Sequence, residues 1–310
     1  MLKKQKIERK SETIAEGVAH LKILFVNAYF VETPESDSWV LIDSGIPLSD
    51  GKIKSFASEI YGAGARPSAI VLTHGHFDHA GAALALAEFW DVPVYAHRLE
   101  MPYLTGKSDY APQDPSVGGA IAQMSRMFPH SGYDFGTRVY QIPENGELAE
   151  MPGWKIIHTP GHTAGHVSLF RESDKTLLAG DALATMDMDS WASNITEKPE
   201  FCRPPAPFTP DWNQARKSVE LLASLAPETV AAGHGQTISG ADTAARLKNF
   251  AENFQIPAHG RYVNQPAVAD ETGIVSLPPP VADPVRQVLI GGALLAGGAL
   301  AFGLLRRRNK

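Results

Sequence analysis

Thr73-His74-Gly75-His76-Phe77-Asp78-His79 decides how this chain is read. It follows the short apolar run Ala69-Ile70-Val71-Leu72, which reads as a buried strand. Three histidines and an aspartate then fall within six positions. Side chains alternate along a strand, so His74 and His76 are expected to share a face as the strand opens out. Asp78 and His79 begin an Ala-rich segment, Ala80 to Phe89, that reads as a helix. Imidazoles and a carboxylate gathered this closely are the donor set of a borderline divalent cation such as zinc.

Three later stretches repeat the pattern of strand, glycine, ligand. Thr159-Pro160-Gly161-His162-Thr163-Ala164-Gly165-His166 follows the strand-like Trp154 to Ile157. Leu177-Leu178-Ala179-Gly180-Asp181 ends in an aspartate, and Thr229-Val230-Ala231-Ala232-Gly233-His234-Gly235 carries a histidine. Glycine beside each ligand permits a sharp turn and a close approach of the backbone.

In this order the pieces resemble the metallo-β-lactamase-fold hydrolase superfamily, over roughly residues 18 to 240. Val40-Leu41-Ile42-Asp43-Ser44-Gly45 is similar to that family's first sheet signature, in which the aspartate supports the metal loop. The resemblance implies an α/β (α+β) fold, a four-layer αββα sandwich. It implies two divalent metal ions, zinc first and manganese or iron(II) as alternatives. His74, His76 and His162 would hold one ion, Asp78, His79 and His234 the other, and Asp181 would bridge them. True β-lactamases of this fold generally lack the bridging aspartate. The diiron oxygen reductases place Glu where His76 stands and add a flavodoxin domain. The implied activity is hydrolysis of a thioester, lactone or related ester by a metal-bridging hydroxide, with Asp78 passing the proton to the leaving group. His76-Phe77-Asp78-His79-Ala80-Gly81 looks much like the motif of the acyl-homoserine lactonases. Their tyrosine after the bridging aspartate is missing, because Ala182-Leu183-Ala184 stand there. No basic C-terminal set of the kind glyoxalase II uses for glutathione is visible. The competing readings are a mononuclear iron sulfur dioxygenase, which leaves Asp78, His79 and His234 without a metal, and a membrane-tethered non-catalytic metal-binding module.

With 310 residues, 44% hydrophobic and 20% charged, the chain has the composition of a globular protein. Its net charge of −6 argues against nucleic acid as a general partner. Cys202 is the single cysteine, so no intramolecular disulfide can form. The basic Met1 to Lys10 lacks the apolar core of a signal peptide.

Helices are expected over Ser49 to Tyr61, Asp211 to Leu225 (Asp211 as N-cap) and Ala241 to Phe254. Residues 98 to 136 are irregular and either form a lid or pack as a solvated loop. Ala182 to Pro210 leaves from a ligand and must border the site, with Trp191 and Arg203 as candidate pocket residues. His20 and His259 read as ordinary surface histidines, and His97 as a surface residue or one behind the ligands. His158 is expected to buttress the His162 loop, and His166 to lie behind the ligands or in the packing; His130 has no assigned role.

The expected organisation is a catalytic domain over 1–255, a Pro-rich linker over 256–285 and a hydrophobic C-terminal helix with a basic tail over 286–310. Val288 to Leu305 is an unbroken apolar run of 18 residues bounded by Arg286 and Arg306. As a helix it would span roughly 27 Å, near the thickness of a bilayer core. It is therefore read as a single-pass membrane anchor that leaves the catalytic domain in the cytoplasm. The positive-inside rule applied to the Arg-rich tail points the other way. The sequence sets neither the oligomeric state nor the substrate.

Overall fold

The fold was analysed in a computed structural model that describes residues 13–33 and 38–283. Strands β1 (Thr13–Ala15), β2 (Val18–Ile23), β3 (Val26–Thr33), β4 (Ser38–Ile42), β5 (Ala69–Val71), β6 (Val94–Ala96) and β7 (Val139–Gln141) form one sheet in chain order. It is antiparallel as far as β4 and parallel from there on, with Val40 opposite Ala69 and Ile70 opposite Val94. Strands β8 (Trp154–His158), β9 (Val167–Arg171), β10 (Thr176–Gly180), β11 (Thr229–Ala232) and β12 (Ile238–Ser239) form the second, in the order β12-β11-β10-β9-β8. Here β10 and β11 run parallel, so Asp181 and His234 leave from the same edge.

Side-chain alternation explains the layering. Along β3 and β4, Tyr29, Val31, Val40 and Ile42 face one way, and they meet Trp154, Ile156, Val167 and Leu169 of the second sheet. The alternate residues Ala28, Phe30, Trp39 and Leu41 face the other way. They are covered by α1 (Asp50–Tyr61) and by the second of two short helices, α2 (Phe77–Ala80) and α3 (Ala83–Trp90). Beyond these come α4 (Met101–Leu104), α5 (Ala120–Ser125) and α6 (Trp191–Thr196). The outer face of the second sheet packs on α7 (Trp212–Ser224) and α8 (Thr243–Glu252) through Trp212, Val219, Leu222 and Leu247. The result is a mixed α/β sandwich layered helix, sheet, sheet, helix.

Phe30 has no exposed surface, and its ring lies 4.9 Å from that of Phe56 and 5.3 Å from that of Trp39. Phe30→Ala leaves a cavity at the densest point of this layer. It should cost about 3–5 kcal/mol of unfolding free energy, measured by denaturant titration; a loss under about 1 kcal/mol would contradict this packing.

Two sequence expectations change in detail. The helix expected from Ala80 to Phe89 is two helices with a break at Gly81. A Cβ at Gly81 would lie 2.4 Å from Pro47 N and 2.5 Å from Ile46 C, so the β4–α1 loop crosses there at close range. Within 256–285, Tyr262 is buried against the α7–α8 layer. Arg261 donates to Pro278 O, and β13 (Val268–Asp270) pairs with β14 (Gly273–Ser276). The first compact unit extends to Pro278.

The membrane expectation is corrected. No helix among the described residues is long and apolar enough to cross a membrane. The run Val288 to Leu305, on which the hydrophobic C-terminal helix was based, lies outside the described residues. That run is also a marginal signal in itself, being short for a span and carrying five glycines. The anchor, the membrane partner and the cytoplasmic placement that depended on it are not carried further.

Candidate metal centre

All seven candidate donors converge at one end of the sandwich. His74 and His76 follow β5, and His76 is the N-cap of α2 in extended conformation, which puts Asp78 and His79 on its first turn. His162 sits in the loop between β8 and β9, Asp181 follows β10, and His234 follows β11. One sheet thus supplies four donors and the other three.

Two subsets are visible. His74 Nε2, His76 Nδ1 and His162 Nε2 form a triangle with edges of 3.0, 2.9 and 3.2 Å. One proton can satisfy only one edge, and three nitrogens converging this closely make a group that could hold a cation. Ligand nitrogens on a tetrahedral zinc stand about 3.3 Å apart, given Zn–N of about 2.0–2.1 Å. In the second subset, His234 Nε2 lies 3.5 Å from Asp78 Oδ2, and His79 Nε2 lies 4.0 Å from the same oxygen. Asp181 reaches both subsets. Its Oδ2 is 3.5 Å from His162 Nε2 and 3.2 Å from His234 Nε2, and its Oδ1 is 3.5 Å from His79 Nε2. His79 Nε2 and Asp181 Oδ1 are buried with no hydrogen-bond partner. Buried polar atoms are rarely left so, and here both aim into the cluster. The donors present fit divalent cations.

The surrounding groups fix which nitrogen faces inward. Asp43 accepts from the Thr73 amide (2.8 Å), the Thr73 hydroxyl (2.8 Å) and His79 Nδ1 (2.8 Å). With its own proton on Asp43, the Thr73 oxygen accepts from His74 Nδ1 (3.1 Å). His234 Nδ1 donates to Phe25 O (2.8 Å). His74, His79 and His234 therefore all turn Nε2 toward the cluster. His166 accepts from the Asp181 amide through Nε2 (2.8 Å) and donates from Nδ1 to Thr159 (2.9 Å). It holds the backbone of Asp181 from behind. A Cβ at Gly180 would lie 2.6 Å from that Nε2.

Charge divides along the same line. Burial, helped by the neighbouring imidazoles, holds His74 and His162 well below the usual histidine range, and burial with His79 lowers His76 to about 3. These three are neutral donors. Burial works against charge on His79 and His234 as well, but the carboxylates around them, Asp181, Asp43 and Asp78 on His79 and Asp181 and Asp78 on His234, together outweigh it and raise both. Burial pushes Asp78 up against the pull of His79 and His234. Asp181 is also penalised by burial, yet His234 and His79 hold it well below the carboxylate range.

Glu100 carries no recognisable motif in the sequence. It has no exposed surface, and its carboxylate accepts four hydrogen bonds: from Gly75 N (3.0 Å), Tyr110 Oη (2.5 Å), Thr163 Oγ1 (2.6 Å) and Gly165 N (3.0 Å). Nothing local distinguishes it from the neighbouring Arg98. Tyr110 belongs to the irregular 98–136 stretch, and its ring packs edge-on against His76 with centroids 4.6 Å apart.

Two clefts meet at the cluster and share His76, His162, Ala111 and Phe208. The first is walled by Phe25, Phe77, Ile121, Phe128, Met188 and Phe208, with Asp78, Asp181 and His234 also lining it. The second, with room for about 290 Å³, runs past Tyr110, Thr163 and Gln214 to the β13–β14 hairpin. Neither lining includes a Lys or Arg among the described residues. The 98–136 stretch thus forms cleft wall through Tyr110, Ile121, Phe128 and His130. From 182–210 the wall takes Met188, Pro205 and Phe208, not the expected Trp191 and Arg203. Trp191 is 61% exposed, and Arg203 is paired with Asp189 at 2.6 Å. Burial pushes the Cys202 thiol up to about 12, which removes it as a nucleophile near neutral pH.

Comparison with known proteins points to one superfamily. Residues 21–234 match the profile of the metallo-beta-lactamase superfamily. The probable metallo-hydrolase YflN of Bacillus subtilis (strain 168) is 44% identical over 242 residues, covering 77% of this chain and 92% of that protein. An N-acyl homoserine lactonase of Bacillus thuringiensis is 27% identical over 156 residues, half of each chain. The crystal structure of TTHA1623 in a di-iron-bound form superposes with a TM-score of 0.51 at 30% identity, covering 75% of this chain and 98% of that one.

Proposed function

Because the chain belongs to the metallo-beta-lactamase superfamily and is a metal-dependent hydrolase, we propose that it cleaves a thioester, lactone or related carboxylic ester at a centre of two divalent ions. The observation that carries this reading is the convergence of both donor subsets on Asp181 at the floor of an apolar cleft. In this reading His74, His76 and His162 hold one ion, Asp78, His79 and His234 hold the other, and Asp181 serves both. When bound, such a pair supplies a water acidified toward neutrality and polarises the substrate carbonyl.

The chain's own groups do the rest. Asp43 and Phe25 O fix the imidazole tautomers before substrate arrives. Asp78 lines the cleft with a carboxylate that burial has made more basic than usual. It takes the proton of the attacking water and delivers it to the leaving group. The phenylalanine wall favours an apolar acyl group and excludes water around the carbonyl. With no Lys or Arg in either described lining, a phosphoester would have only the metal centre and its histidines to meet its charge. The similarity to the homoserine lactonase supports the same carbonyl chemistry.

The full chain, purified without added metal, should carry about two divalent ions and hydrolyse members of a thioester and lactone panel in a chelator-sensitive way. Elemental analysis and the panel assay are run on one sample, with phosphoesters as the contrast. About one iron per chain and no hydrolysis would overturn the proposal and favour a mononuclear iron oxygenase.

A further inference from the structure

We propose that Glu100 is a positioning residue that sets the geometry, and so the metal affinity, of the His76–His162 half of the centre. The inference rests on the dinuclear reading above. The two loops that carry these histidines lie far apart in the chain, with 86 positions between His76 and His162. They come from different sheets. Glu100 joins them. Its Oε2 takes the amide of Gly75, between His74 and His76, together with the Tyr110 hydroxyl. Its Oε1 takes the Thr163 hydroxyl and the Gly165 amide, on the β8–β9 loop that carries His162. Each oxygen serves one loop, so the rigid carboxylate spaces them.

The fit is close. A Cβ at Gly165 would lie 2.7 Å from Glu100 N and 2.8 Å from its Oε1, and one at Gly75 would lie 2.3 Å from the Tyr110 oxygen. Glycine at both positions lets the loops close on the carboxylate. Tyr110 adds a second hold, with its hydroxyl on Glu100 and its ring against His76. The other half of the centre is anchored elsewhere, His79 on Asp43 and His234 on the Phe25 carbonyl. All four donors point at Glu100, so only a group with two accepting oxygens satisfies both loops. Glu100→Gln keeps the volume but turns an NH2 toward the donors of one loop.

The test uses metal-free full-length protein titrated with Co2+ against a competing chelator, reading the d–d absorption of each ion, with the melting temperature of the metal-free protein measured alongside. Wild type is expected to take up two ions. Glu100→Gln should bind one ion with wild-type affinity and the other about 10–100-fold more weakly. Tyr110→Phe removes one of the four donors, keeps the ring on His76, and should weaken the same ion by less; it carries the test if Glu100→Gln fails to fold. If both ions bind these variants as they bind wild type, or both weaken equally, the proposal is wrong. If wild type takes up one ion, the dinuclear reading fails separately. The inference then stands only if that single ion is weakened in the variants.

Discussion

Asp78→Asn should lower kcat for ester or thioester hydrolysis by about 10²–10⁴-fold and change KM far less. The substitution keeps the shape of a side chain that lies 3.5 Å from His234 Nε2 and faces the cleft. It removes the ability to accept a proton. The loss should grow with the basicity of the leaving group, because a poor leaving group depends on the delivered proton. Steady-state kinetics on an alkyl ester and a nitrophenyl ester of the same acid separate the two roles. A uniform loss on both substrates would mean that Asp78 acts only as a ligand. A kcat within tenfold of wild type on the alkyl ester would remove it from catalysis.

A single methyl group at Gly233 should do comparable damage. The added Cβ would stand 2.0 Å from Asp181 Oδ1 and 2.6 Å from His79 Cε1. The backbone cannot retreat, since the Gly233 amide donates to Gly180 O (2.9 Å) and its carbonyl accepts from Asn27 N (2.9 Å). The strain therefore falls on the aspartate shared by both subsets. Gly233→Ala is expected to lose at least one metal ion per chain and about 10²-fold or more in turnover. Gly51→Ala is the control: it lies in α1, with nothing within 4 Å of the new methyl. It should leave metal content and rate unchanged and stabilise the helix by about 0.5–1 kcal/mol. Retention of two ions by Gly233→Ala would show that the loop can yield.

His74, His162, Asp181 and His234 were legible in the sequence because each comes within a few residues of a short apolar run and stands beside a glycine, and His76, Asp78 and His79 because they cluster with the first of them. His74, His162, Asp181 and His234 all lie where a strand ends, and strand ends survive as local patterns. The helices α1, α7 and α8 were legible for the same reason, and Asp211 caps α7 by accepting from Asn213 N and Gln214 N. What stayed hidden depends on distant partners. Glu100 is a buried charge whose four donors come from three separate loops, so no window around it carries the signal. Trp191 and Arg203 were expected in the pocket by residue type, but Asp189 holds Arg203 elsewhere. The two-residue β12 exists only because it pairs with β11. The Pro-rich stretch after residue 255 concealed a hairpin and a buried tyrosine.

Each sheet is contiguous in the chain, the first complete by Gln141 and the second by Ser239. This bears on how the protein emerges from the ribosome. About 98 further residues must be made after the first sheet is finished, roughly 5–20 s at the usual pace of translation. For that interval Tyr29, Val31, Val40, Ile42 and Val71 have no second sheet to cover them. The newborn half presents a wide greasy face beside four donors that form an open claw. Until the second sheet arrives, that face lacks its native cover. A cation caught too early would meet half a coordination sphere, so loading belongs to the finished chain.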